Sequence, residues 1–211
     1  MKNTGSIEYH EFELRIALDP NHPERLVPDI GDAQSILDIG CGAGQTLIAL
    51  GNAKRRIGVD IDTDAVKLGM QWAAASGIRM LAARGENLPF QPDSFEFVYS
   101  RVALPYMDIP VALNEIHRVL RPGGRVWLTL HPITIPAAQF RRGNVKGKIY
   151  AAYVMLNGLW LHITGKTFRF LRGVTESFQT DRGIKAALTR AGFLNIEFHR
   201  TARHFIVMAQ R

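Results

Sequence analysis

Three glycines at alternate positions, Gly40, Gly42 and Gly44, follow the apolar run Ile36-Leu37-Asp38-Ile39 in a chain of 211 residues. Glycines placed this way let the backbone turn sharply and leave no Cβ atoms over the turn, so a ligand can lie against the peptide planes. A helix starting near Gly44 aims its free N–H groups at the same place. Asp60 closes the next apolar run, 22 residues after Asp38, about the offset at which a carboxylate receives ribose hydroxyls. A dinucleotide site would want G-x-G-x-x-G, and its third glycine falls on Gln45. Asp38, just ahead of the first glycine, repels a pyrophosphate and attracts an ammonium. The corner therefore predicts a nucleoside ligand with an amino group and no phosphate.

The elements that must hold this corner read as alternating strands and helices. Strand candidates are Ile36–Ile39, Arg56–Val59, Ile78–Leu81, Phe95–Tyr99 and Arg125–Leu130, with helices beginning near Gly44, Asp62 and Ile109. That alternation predicts an α/β fold with a parallel sheet, helices on both faces and ligands at the carboxyl ends of the strands. Glu8, Glu11 and Glu13 favour a helix over Tyr9–Leu18, and Pro23 after the Asp19–Pro23 turn predicts a second, short helix ending before Gly31. Beyond His131 the alternation stops for about fifty residues, the mark of a lid. Asp181 reads as the N-cap of a last helix ending at Gly192, and Leu194–Phe198 with Phe205–Ala209 as a closing antiparallel pair.

Asp38–Gly44, Gly58-Val59-Asp60-Ile61-Asp62, Gly85-Glu86-Asn87-Leu88-Pro89-Phe90, Phe95-Glu96-Phe97-Val98 and Leu120-Arg121-Pro122-Gly123-Gly124-Arg125-Val126 together resemble the ordered motifs of class I S-adenosylmethionine-dependent methyltransferases. The resemblance covers about residues 35–131 and is nearest to the small-molecule branch that includes quinone and sterol methylating enzymes; the tail from Asp181 matches the family's last helix and strand pair. It implies a Rossmann-like, seven-stranded, mostly parallel sheet with an antiparallel last strand and a helical lid after strand five. Residues 1–34 would be a helical cap, 35–131 the cofactor core, 132–180 the lid and 181–211 the completion of the core. S-adenosyl-L-methionine would be bordered by Gly40, Gly42 and Gly44, with Cys41 and Ser100 also among the residues that bind it. Asp38 would sit under its amino-acid end, Asp60 on the ribose, Ile61 on the adenine face, and Gly85 and Glu86 at the adenine edge. Where the family often has an acid two residues before Glu86, this chain has Arg84, which has no acceptor for the adenine amino group.

Methyl transfer from a sulfonium is an in-line displacement that needs alignment and exclusion of water, and requires neither a metal nor a covalent nucleophile. A hydroxyl acceptor benefits from a general base, for which His131, Tyr106, Tyr9 and His10 are candidates, with His131 preferred because it ends strand five just before the lid. Cys41, the only cysteine, reads as a small filler, since no base is recognisable beside it. In the lid, Ile149, Ala152, Tyr153, Leu156, Leu159 and Trp160 recur near helical spacing and predict an apolar wall for a hydrophobic acceptor. The flanking Arg141, Arg142, Lys146, Lys148, Arg169 and Arg172 leave open an anionic acceptor or an anionic membrane surface.

Composition sets the outer bounds. Apolar residues make up 46% and charged residues 21% of the chain, and no window reaches the eighteen or so apolar residues that cross a bilayer. The lone cysteine and the acidic turn at the N-terminus predict a reducing cytoplasm. Residues 1–131 hold 13 Lys+Arg against 16 Asp+Glu, whereas residues 132–211 hold 13 against 3, so the net charge of +7 belongs to the C-terminal part. Nucleic acid is disfavoured, though the charge leaves it open, because the lid is aliphatic and no aromatic-basic strand pattern or zinc motif is present. A nicotinamide-dependent oxidoreductase and a non-catalytic S-adenosylmethionine-binding protein are the alternatives, and the oligomeric state is not legible.

Overall fold

A computed structural model describes residues 7–51, 53–74, 76–168, 175–201 and 204–211 of the chain. The lid residues Arg169 and Arg172 lie outside them. Seven strands form one sheet in the order β3-β2-β1-β4-β5-β7-β6: β1 Ser35–Ile39, β2 Arg55–Asp60, β3 Arg79–Ala82, β4 Phe95–Ser100, β5 Leu120–Leu130, β6 Leu194–Arg200 and β7 Phe205–Gln210. The first five are parallel neighbours, and β7 runs antiparallel between β5 and β6. The helices are α1 Ile7–Leu18, α2 Gln45–Ala49, α3 Thr63–Trp72, α4 Ile109–Val119, α5 Thr134–Arg142, α6 Val145–Thr164 and α7 Asp181–Arg190.

The sheet is buried on both faces because alternate strand residues point to opposite sides. Leu37 and Ile39 of β1 join a core with Leu113 and Ile116 of α4 and with Ile184 and Leu188 of α7. Ile36, one residue before Leu37, turns the other way and packs with Leu47 of α2 and Val66 of α3. The strand order reverses direction between β1 and β4, which opens a crevice at their carboxyl ends. Every candidate residue of the cofactor site lies on a strand end or loop along that edge.

Three local expectations are corrected. No helix forms after Pro23: Pro28, five residues on, has no N–H for a helical bond and steers Val27 away from helical backbone. Instead His22 Nδ1 accepts from the Glu24 amide, and Arg25 Nε donates to the Ala17 carbonyl. The helix after the glycines is only five residues, too short to aim a strong dipole. Thr180, not Asp181, caps α7, its hydroxyl accepting from the Gly183 amide; Asp181 is the first helical residue and pairs with Arg200 at 2.7 Å.

The lid is two helices and a returning segment, and its apolar wall faces the opposite way from the one expected. Ala151, Tyr153, Val154, Asn157, Gly158 and Leu161 of α6 are buried, while Ile149, Leu156, Leu159 and Trp160 are exposed and Ala152 half-buried. Asn157 selects the inner face: its amide donates to the carbonyls of Thr175 and Glu176 at 2.9 and 3.0 Å and accepts from the Phe168 amide at 3.0 Å. Gly158 lets the Phe178 ring lie against the helix, since a Cβ there would stand 2.1 Å from Phe178 Cδ1.

Candidate active site

The loop after β1 takes three left-handed backbones, with φ of +78° at Gly40, +54° at Gly42 and +74° at Gly44. Glycine is demanded here by packing as well as by conformation: a Cβ on Gly40 would fall 2.1 Å from Ala103 Cβ, and one on Gly44 2.0 Å from Met80 Cε. Gly40 and Cys41 donate their amides to the Val59 carbonyl at 2.8 and 3.1 Å, anchoring the loop to β2. The Cys41 side chain fills the space over Gly58, and burial pushes its thiol well above the usual range.

One cavity of about 200 Å³ lies at the carboxyl ends of the strands, with Gly40, Asp60, Ile61, Gly85, Glu86 and Tyr106 in its wall. Asp60 is held by two loops: Oδ2 accepts from the Gly42 amide at 2.7 Å and Oδ1 from the Asp62 amide at 2.9 Å. Each carboxylate oxygen keeps a second lone pair, so the group can also accept from a diol. Ile61 is 69% exposed, an apolar side chain offered to the cavity rather than to the core. Gly85 lets Met107 close the floor, because a Cβ there would stand 2.6 Å from Met107 Sδ. Glu86 Oε1 accepts from the Asp108 amide at 3.1 Å, and the Arg84 guanidinium folds back onto it at 3.4 Å.

A second cavity, of about 90 Å³, continues around Gly40 toward α1 and is lined by Tyr9, His10, Asp38, Gly42, Gln45 and Arg101 among others. It is ringed by buried polar atoms without hydrogen-bond partners: His10 Nε2 and Asp38 Oδ1, with Tyr99 Oη and Ser100 Oγ behind them on β4. Burial pushes the Asp38 carboxyl up to about 7; the Tyr99 hydroxyl lies close enough to temper the rise without completing a hydrogen bond. Arg101, in the wall of the same cavity, offsets only part of that rise, so a further cation beside Asp38 would be favoured. Gln45, the residue that breaks the dinucleotide pattern, bonds His10 Nδ1 at 2.8 Å, and burial lowers the pKa of that imidazole. Arg101 pairs with Glu13 of α1, fixing the cap over this end. Ser100 is wholly buried, and Gly44 serves the turn into α2.

Two of the candidate bases, Tyr106 and His131, meet at the wall of the first cavity, while Tyr9 and His10 lie at the second. Tyr106, in the short turn after β4, meets the His131 ring edge-on at 5.4 Å between centroids. His131 also lines a cavity of about 290 Å³ with Val102, Leu130, Ile135 and Phe205, so the Tyr106–His131 pair separates the two spaces. Burial depresses His131 to about 4, leaving a neutral imidazole at pH 7. Its backbone is clamped by Gln179, whose Oε1 accepts from the His131 amide at 2.8 Å and whose own amide donates to the His131 carbonyl at 2.8 Å. Tyr9, on α1, is half-buried and lies on the side of the second cavity. Val102 holds φ +63°, a strained setting for a β-branched residue, with its amide bonded to Thr129 Oγ1 at 2.6 Å.

Sequence reasoning missed Glu176 and Tyr150. The Glu176 carboxylate approaches His131 Nδ1 at 4.0 Å and accepts the Tyr150 hydroxyl of α6. Burial raises both groups above their ordinary pKa values. One signal was present: Glu176 is the sole acid between Glu115 and Asp181.

The chain is similar to proteins named as methyltransferases. The profile of a family described as a methyltransferase domain matches residues 37–128. A demethylmenaquinone methyltransferase of Staphylococcus aureus is 28% identical over 183 residues, covering 82% of this chain and 74% of its own. An S-adenosylmethionine-dependent methyltransferase structure from Mesorhizobium loti superimposes with a TM-score of 0.63 at 22% identity, covering 98% of this chain and 99% of that one. A phosphoethanolamine N-methyltransferase from Haemonchus contortus, solved with S-adenosylhomocysteine, gives a TM-score of 0.57 at 20% identity over 81% of this chain and 35% of that one. The residues present fit S-adenosylmethionine: a buried acid, Asp38, with Oδ1 free of hydrogen bonds beside the glycine turn, and a backbone-held carboxylate, Asp60, at the second strand end. With its motifs in order, its strands in the 3-2-1-4-5-7-6 arrangement and a match to a methyltransferase domain over residues 37–128, the chain carries a methyltransferase domain on the fold shared by S-adenosylmethionine-dependent methyltransferases.

Proposed function

We propose that the protein moves the methyl group of S-adenosylmethionine to a small, mainly apolar acceptor bearing an aromatic hydroxyl, of the quinol class. The observation that carries this reading is the Tyr106–His131 pair, which stands between the cavity at the strand ends and a cavity walled by Val102, Leu130, Ile135 and Phe205 together with the polar Thr134 and Arg200. Asp60 takes the ribose hydroxyls, Asp38 the methionine ammonium, Ile61 the adenine face and the Gly85-Glu86 segment its edge. The S–CH3 bond breaks with its electron pair left on sulfur, and the new bond forms to the acceptor as its proton leaves.

Neutral His131 receives that proton, and Glu176 steadies the imidazolium that results. Tyr150 holds the Glu176 carboxylate in place from the lid. The relatives named as demethylmenaquinone methyltransferases support a quinol over an anionic acceptor. So does the position of Arg141, Arg142, Lys146 and Lys148, which are exposed on α5 and α6. A cytoplasmic setting accompanies this reading, in keeping with the single, buried thiol.

The test is incubation with S-adenosylmethionine and a reduced, short-chain demethylmenaquinone, with products read by mass spectrometry. A singly methylated product that falls at least a hundredfold in Glu176→Gln supports the proposal. Absence of product from protein that binds the cofactor overturns the quinol assignment.

A further inference from the structure

Helix α6 is inverted relative to a helix that meets water. Its outer face carries Val145, Ile149, Leu156, Leu159, Trp160 and Ile163, each between 46% and 73% exposed. Its polar Asn157 is fully buried and bonded inside. A helix of a water-surrounded protein normally shows the reverse pattern, and a continuous exposed apolar stripe marks an interaction surface. From Val145 to Ile163 the stripe runs about 27 Å at the rise of an α-helix.

The charge around the stripe is of one sign. Arg141 and Arg142 end α5, Lys146 and Lys148 begin α6, and Lys166 follows it; all five are exposed. Between Glu115 and Glu176 the sequence contains no Asp or Glu at all. Trp160 stands on the stripe itself, a side chain that suits the boundary between water and hydrocarbon. No helix of the described residues is long and apolar enough to cross a membrane, so α6 could lie on a bilayer but not span it.

We infer that the outer face of α5 and α6 docks the enzyme on an anionic lipid surface, with the α6 stripe in the acyl boundary and the cations at the head groups. Apolar burial and attraction to anionic lipid act together in this mode of binding. A second copy of the chain fits less well. A two-fold interface sets a patch against itself, and because cations flank both ends of the stripe, Arg141, Arg142, Lys146 and Lys148 at one and Lys166 at the other, cation would meet cation in either pairing of the ends. The inference does not depend on which acceptor is methylated, and its test reads no methyl transfer.

The full chain is sedimented with vesicles of phosphatidylcholine alone or containing a quarter phosphatidylglycerol, alongside Leu156→Asp/Ile163→Asp and Lys146→Glu/Lys148→Glu. Cofactor binding and circular dichroism establish that each variant is folded, and Lys148→Arg serves as a mild control expected to bind like the parent. The expected result is at least tenfold stronger association with the anionic vesicles. The apolar double variant should lose at least tenfold of it, the charge-reversed variant a similar amount, and added salt should weaken it. Folded parent protein that stays in solution would overturn the inference, as would binding insensitive to the Leu156→Asp/Ile163→Asp change. Light scattering that finds a dimer dissolved by that same change would assign the face to a second copy instead.

Discussion

Replacing Asp38 by Asn should stabilise the ligand-free protein while crippling its hold on the cofactor. Asp38 is buried at the end of β1 with Oδ1 unpartnered, and burial raises its carboxyl from 3.8 to about 7. Below pH 4 the carboxyl is protonated in both folded and unfolded chains, so it costs nothing. Between pH 4 and 7 the unfolded chain sheds the proton and the folded one keeps it, so stability falls as pH rises. Above pH 7 the whole penalty is present, about 4 kcal/mol at 1.36 kcal/mol per pH unit. Local relaxation reduces what an isosteric amide recovers, and about 2 kcal/mol is a reasonable expectation, equivalent to about 4–8 °C in a domain of this size. Differential scanning calorimetry at pH 8 should show that gain for Asp38→Asn, and at pH 5 it should shrink to less than half. Titration with S-adenosylmethionine at pH 8 should show at least tenfold weaker binding, because the amide offers no charge to the ammonium. A variant that melts lower than the parent at pH 8, or that binds the cofactor as well as the parent, would refute this reasoning.

Gly40→Ala should cost about 2 kcal/mol or more, since the methyl group would meet Ala103 Cβ at 2.1 Å on a left-handed backbone, and urea unfolding will read it. Gly51→Ala, with nothing within 4 Å, should be neutral or slightly stabilising in the same experiment. Glu176→Gln should leave cofactor affinity within about twofold while lowering kcat by about 10² or more, the usual share of a positioned proton acceptor. His131, depressed to about 4, binds a proton in the unfolded chain but not in the folded one between pH 6.5 and 4, so stability should fall as pH drops through that window; His131→Asn should flatten that part of the melting profile. Cys41 should resist maleimide labelling until the protein unfolds, given its burial and its raised pKa.

The cofactor corner was legible because its requirements are local. Alternate glycines and a carboxylate 22 residues on describe a turn and a strand end that any neighbouring structure must respect. The sheet was legible for a similar reason, since buried strands read as short apolar runs of the right length. The lid was not, because α6 is apolar on both sides and its spacing cannot say which side is covered. That choice was made by Asn157 and Gly158, whose partners at Phe168, Thr175, Glu176 and Phe178 are set by the returning chain. Glu176 escaped for the same reason: nothing in its neighbours places it opposite His131, 45 residues earlier. The segment after Pro23 stays non-helical for a reason the sequence holds, since Pro28 interrupts any helix begun there.

The central claim is that the glycine corner between β1 and β2 takes S-adenosylmethionine and not a dinucleotide. Isothermal titration of the ligand-free chain with S-adenosylmethionine, and separately with NADH, tests it most directly. One molecule of S-adenosylmethionine per chain at micromolar affinity, lost in Asp60→Ala and with no heat from NADH, is the predicted outcome. Tight NADH binding, or S-adenosylmethionine uptake that ignores Asp60→Ala, would contradict it.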